Sequence, residues 1–256
     1  GTLAITGATT ISASGQDITL SDGSSTFGTL VLTGANVAVT EAAATDLGAS
    51  TVSGTLGITS TGAVTDSGTL AVTGATTISA SGQDITLSET ASTFGTISVT
   101  GANVAITEAA ATELGASTVS GTLDITSTGA ITDSGTLAIT GDATFTNSGG
   151  TDEAITLDDS GNVFTGSVTF ATDSGSAVTI VDTTALDLVA LSAASLNVTA
   201  GGAVTDSGTL AISGATTISA SGQDITLSDG SSTFGTLALT GANVAITEAA
   251  ATELGV

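Results

Sequence analysis

The sequence predicts an all-β solenoid of short coils stacked along one axis, and three observations predict it. The first is self-similarity: the fifteen residues from Gly7 to Ser21 return letter for letter from Gly74 to Ser88 and from Gly214 to Ser228. Gly-Thr-Leu openings at Gly1, Gly68, Gly135 and Gly208 mark units of 67, 67, 73 and 49 residues. The second is alternation of apolar residues with Thr, Ser and small residues, the period of a strand that buries one face. The third is the spacing of Gly, Asn, Asp and Ser, which cut these runs into short pieces joined by tight turns. A fixed long period made of such pieces is the pattern of a chain whose core grows by stacking copies.

Taken in order, the first unit offers runs at 2–6, 10–13, 17–20, 29–33 and 36–40, and about eight in all. One third of 67 is roughly 22 residues, the length of a coil with three short strands and three turns. The expected division is 1–23, 24–49 and 50–67, with Gly1-Thr2-Leu3, Gly28-Thr29-Leu30 and Gly54-Thr55-Leu56 each lying near the start of a coil. At about 4.8 Å per coil, the chain would make eleven or twelve coils, roughly 55 Å tall. The segment Glu41-Ala42-Ala43-Ala44-Thr45-Asp46-Leu47, which recurs from Glu108 and Glu248, has helix-favouring composition. Isolated helices this short are marginal, so a bend or single helical turn is expected there, with a short helix as the alternative. The third unit diverges between Asp142 and Ala200. Drift in a surface turn is expected, with a binding loop as the alternative. The whole, 1–256, reads as one continuous solenoid of repeats 1–67, 68–134, 135–207 and a partial 208–256. Its unremarkable ends suggest an excerpt of a longer array.

Composition narrows the function classes. There are 24 carboxylates and no Lys, Arg or His, a formal charge of −24. Side-chain salt bridges are impossible within the chain, and nucleic acid or anionic lipid would be repelled. No stretch is long and apolar enough for a membrane-spanning helix. Six Phe are the only aromatic residues, and Cys, Pro, Met, Trp and Tyr are absent. Many β-branched residues and a mean hydropathy of +0.51 argue against disorder. With three coils per repeat, equivalent carboxylates would lie about 14 Å apart along the axis, beyond the Debye length of roughly 8 Å.

The run Gly135-Thr136-Leu137-Ala138-Ile139-Thr140-Gly141-Asp142-Ala143-Thr144-Phe145, with Ala154-Ile155-Thr156-Leu157-Asp158, Asn162-Val163-Phe164-Thr165-Gly166-Ser167-Val168, Ala185-Leu186-Asp187-Leu188 and Gly202-Ala203-Val204-Thr205-Asp206-Ser207-Gly208, resembles the repeat regions of giant filamentous-haemagglutinin-like bacterial exoproteins. So does the run Leu47 to Leu56. The resemblance covers essentially the whole chain. It implies a right-handed parallel β-helix, export across a Gram-negative envelope, and service as an adhesive fibre or surface filament. It defines no binding residues to carry over.

Chemistry has few candidates. Hydroxyls are abundant, but no His, Lys or Cys is present to activate or replace them, so no enzyme is expected. Asp17, Asp84 and Asp224 recur at one turn position, as do Asp22, Glu89 and Asp229, which suits solvated turns better than a singly built active site. Asp158, Asp159 and Asn162 are weak calcium candidates that lack the EF-hand spacing, so no cofactor is expected beyond loosely bound calcium. The Thr arrays raise an ice-binding reading, but Thr-x-Thr does not recur in every coil. Phe27, Phe94 and Phe234 share one repeat position, with Phe164 as counterpart, and are read as core or corner packing. Asn197-Val198-Thr199 is a formal glycosylation sequon on which nothing is built. The reading is an extracellular stalk or surface filament, with other copies, flanking repeats and host or neighbouring surfaces as partners. A self-assembling matrix, sheath or surface-layer filament is the alternative.

Overall fold

The computed structural model describes residues 1–255. Among them there is no helix; 31 strands, most of three to six residues, form a 15-stranded and a 16-stranded sheet. Every strand pairing is parallel. The chain visits the sheets in alternation: Thr9–Ser12 and Thr29–Gly34 lie in the smaller sheet, Ile18–Leu20 and Val37–Glu41 in the larger. The result is a β-solenoid of about 12 turns.

Its core follows from alternation. In Val37–Glu41 the first, third and fifth residues are buried, and the pattern repeats in Leu56–Ser60 and Leu123–Ser127. Buried Ile, Leu and Val from both sheets form one continuous column from Ile18 to Leu237. The Ala-rich segment after Glu41 makes a bend at Ala42 and Ala43 and then the strand Thr45–Leu47, so the bend holds and the helix does not. Packing explains this, since Thr45 and Leu47 are almost wholly buried and a helix would remove both from the ladder.

The number of coils per repeat needs refinement. Pairing runs Ile18 to Val37 to Leu56 to Thr76 to Ile97, so a turn takes about 20 residues. A 67-residue unit therefore makes three and a half turns, and each unit lands half a turn away from the one before. Thr9–Ser12 stands in the smaller sheet while its copy Thr76–Ser79 stands in the larger. Val37–Glu41 and Val104–Glu108 are exchanged in the opposite sense. The expectation that a Gly-Thr-Leu strand lies at one equivalent place near the start of each coil fails for this reason. Leu30 belongs to the smaller sheet and Leu56 to the larger, because the tripeptide marks a corner and each turn has more than one.

The half turn also redistributes charge. Asp17 precedes a strand of the larger sheet and Asp84 a strand of the smaller one. Equivalent carboxylates thus stand on opposite edges, about 17 Å apart along the axis, instead of 14 Å apart on one edge. Within the ladders each strand carboxylate faces a neutral residue: Asp46 faces Thr29 and Thr65, Glu113 faces Thr96 and Thr132, and Asp187 faces Ser167 and Thr205. Like charges directly opposite would be destabilising, and here no side-chain cation exists to relieve them.

Candidate functional site

The most elaborate constellation is a corner built from a turn, a phenylalanine and a buried acid. The turn starts with an acid and ends three residues later in Ser or Asn. The N–H of Ser25, Ser92, Asn162, Ser176 and Ser232 donates to the carbonyl of Asp22, Glu89, Asp159, Asp173 and Asp229 respectively. The Ser side chain then turns inward. Oγ of Ser25, Ser92 and Ser232 accepts the N–H of Leu3, Leu70 and Leu210 from the preceding turn, each at 3.0 Å. Asn162 does the same for Leu137 through Oδ1 at 2.7 Å. An acid on that preceding turn completes the cap. Asp66 accepts the N–H groups of Ser88 and Glu89, and Asp206 those of Ser228 and Asp229.

Two residues after Ser25, Ser92, Asn162 and Ser232 comes Phe. Phe27, Phe94, Phe164 and Phe234 are all buried, and each backbone N–H donates to a carboxylate of the following turn. The acceptors are Glu41 and Glu108 at 2.7 Å, Asp182 at 3.2 Å and Glu248 at 3.3 Å. Thr45 and Thr112 hydroxyls donate to the second oxygen of Glu41 and Glu108 at 2.9 Å. Glu41, Glu108 and Asp182 are each only 1% exposed. Burial pushes the Glu108 carboxyl up to about 7, against the opposing pull of the Phe94 amide and the Thr112 hydroxyl. Asp182 is raised for the same reason, opposed by bonds from Thr184 and Phe164.

The reading of acids as solvated turn residues missed these buried ones. A sign was present: Phe and Glu stand 14 residues apart in three units. The turn role does describe Asp17, Asp84 and Asp224, which are exposed. Each accepts both the backbone N–H and the side-chain amide of an Asn one turn on, namely Asn36, Asn103 and Asn243. Charges are thus met by N–H and O–H donors in place of cations.

The calcium candidates occupy one such corner. Asp133 accepts the N–H groups of Asp158 and Asp159 and the side-chain amide of Asn162. Asp159 accepts the Thr136 hydroxyl and the Gly161 N–H. Asn162 is fully buried with both ends of its amide engaged. The three therefore come together as turn formers. Among the described residues, no three Asp or Glu side chains gather closely enough to hold a metal ion. The surface is shallow. A depression of about 430 Å³ lies over Phe170, Ala171, Ala190 and Leu191, and one of about 200 Å³ over Asp84, Asn103 and Asp124.

One repeated position works against stability. Thr76 and Thr216 are buried, and their hydroxyls have no hydrogen-bond partner. Valine has the same shape without the unsatisfied group, so Thr76→Val and Thr216→Val should each stabilise the fold by about 1 kcal/mol. The positions lie seven turns apart, so the effects should add. A raised urea midpoint for each single variant and a further rise for the double is expected; a fall would refute the assignment.

Comparison with known families gives one finding. A family model described as repeats of unknown function (DUF5649) matches residues 1–33, 34–100, 101–171 and 175–241. No curated protein and no solved structure matches the chain.

Proposed function

The chain belongs to the DUF5649 repeat family, and from that premise we propose that it serves as the stalk of a bacterial adhesin or as a surface filament, outside the cell. The supporting observation is the parallel ladder that passes through all four repeats over a single core. A structural repeat protein of this form holds a fixed length, because each turn is fastened to the next by backbone pairing and by corner bonds. Its work is mechanical and no catalysis is assigned to it. Neither nucleic acid nor a membrane interior is a partner; other copies, flanking repeats and neighbouring surfaces are. Divalent cations such as calcium associate loosely with the exposed carboxylates and screen one rod from the next.

Length and location test this reading. Small-angle scattering should give a rod of roughly 58 Å, growing by about 17 Å for each added 67-residue repeat. An antibody to the repeat should decorate intact producing cells. A scattering length that does not grow with repeat number would defeat the rod, and labelling only after lysis would defeat the surface assignment. Rods that bond laterally into layers without a distinct tip would instead support a self-assembling matrix or sheath.

A further inference from the structure

Three corners are built around an almost wholly buried acid for which the chain supplies no side-chain counter-charge; Glu41 stands one strand from the end of its sheet, whereas Glu108 and Asp182 lie deep within theirs. Glu108 closes Val104–Glu108, with Oε1 accepting the Phe94 N–H at 2.7 Å and Oε2 meeting the Thr112 hydroxyl at 2.9 Å. Asp182 closes Ala177–Asp182, with Oδ1 accepting the N–H groups of Phe164 and Thr184 and the Thr184 hydroxyl. Its Oδ2 is buried without a partner. The titratable groups on and beside the strands around Glu108 are Asp84, Glu89, Glu113, Asp124 and Asp133; those around Asp182 are Asp152, Glu153, Asp158, Asp159, Asp173, Asp187 and Asp206. All are carboxylates. Any charge they carry discourages a further negative charge in the corner.

We propose that Glu108 and Asp182 are proton-operated fasteners: the neutral carboxyl group holds adjacent turns together, and loss of its proton loosens the corner. In the closed form Oε1 of Glu108 keeps the Phe94 N–H while the protonated Oε2 donates to the Thr112 hydroxyl oxygen, which can rotate to accept. In the open form a charge sits in a buried site with no cation near it.

The direction of the pH dependence follows from the raised values. The folded chain holds the proton more tightly than the unfolded chain. The stability from protonated Glu108 is therefore complete below its ordinary value of 4.5 and lost as pH rises through about 7. The background is unusually quiet. With no His, Cys, Lys or Tyr, ordinary side chains are silent between about pH 5.5 and 9, and acetylation removes the α-amino group.

The test uses the full acetylated chain and the variants Glu108→Gln, Asp182→Asn and their double. The Gln amide copies the protonated acid, accepting from Phe94 and donating to Thr112. Carboxyl ¹³C resonances followed from pH 3 to 9 should include one near-neutral titration that Glu108→Gln abolishes. Opening of the Phe94 amide, from hydrogen exchange corrected for intrinsic rate, should rise roughly tenfold or more between pH 5.5 and 8.5 in the native chain. It should stay flat in Glu108→Gln; opening of the Phe164 amide should also rise with pH in the native chain, and Asp182→Asn should abolish that rise. Every carboxyl resonance titrating below about pH 5.5, or equal opening in native and variant chains, would overturn the proposal.

Discussion

Phe145→Ala is expected to destabilise the solenoid by about 3–5 kcal/mol, among the largest losses available to a single side chain. Phe145 is fully buried. Its ring meets Phe164 edge-on at 6.1 Å and stacks on Phe170 at 5.8 Å. The cause lies in the divergent third unit. Twenty-five residues separate Ala143 from its partner Val168, whereas nineteen separate Val104 from Leu123. The longer turns bring a cluster of three rings into a core otherwise filled mainly by Ile, Val and Leu. Removing one ring strips contacts from both neighbouring turns and leaves a hole that short, hydrogen-bonded strands cannot collapse to fill. Urea unfolding of the whole chain measures the loss, and hydrogen exchange should place the new opening around the turns of Phe145 and Phe170. A loss below about 1 kcal/mol would mean that the rings do not pack as described.

Gly141→Val is expected to cost about 3 kcal/mol. A Cβ at Gly141 would lie 2.5 Å from the carbonyl oxygen of Gly121, and one at Gly166 would collide with the backbone of Gly141. Glycines 121, 141 and 166 thus form a column in which successive turns touch backbone to backbone. Side chains there would push the turns apart and break the ladder, because the obstacle is main chain and cannot swing aside. Gly82 makes the contrast. Its φ is +72°, and a methyl group there would have no neighbour within 4 Å. Gly82→Ala therefore meets conformational strain alone, about 1–2 kcal/mol, and should unfold at higher urea than Gly141→Val. The reverse order would contradict the close approach.

The parts of this architecture legible in the sequence were those written in local pattern. Alternation around Val37 and Val39 marks a half-buried strand wherever it occurs, and repetition of the segment from Gly7 to Ser21 announces stacking. The half turn per repeat was not legible. A period of 67 residues divides as readily into three coils as into three and a half. Only the pairing of Ile18 with Val37, and so of Thr9–Ser12 and its copy with opposite sheets, decides between them. The corner acids were hidden for a different reason. Glu41 and Glu108 sit beside Ala-rich stretches that resemble helix or solvated turn, and only the Phe residue 14 positions earlier, brought close by the winding of the chain, identifies them as buried acceptors. Asp182 is harder still, because the longer third unit changes that spacing to 18.

Electron cryomicroscopy of a chain with at least two intact repeats, at a resolution that traces the backbone, tests the central claim most directly. The account predicts parallel turns of about 20 residues, with Asp17 and Asp84 on opposite edges of the rod and Asp84 and Asp224 on the same edge, seven turns apart. Asp17 and Asp84 on one edge, a whole number of turns apart, would contradict it.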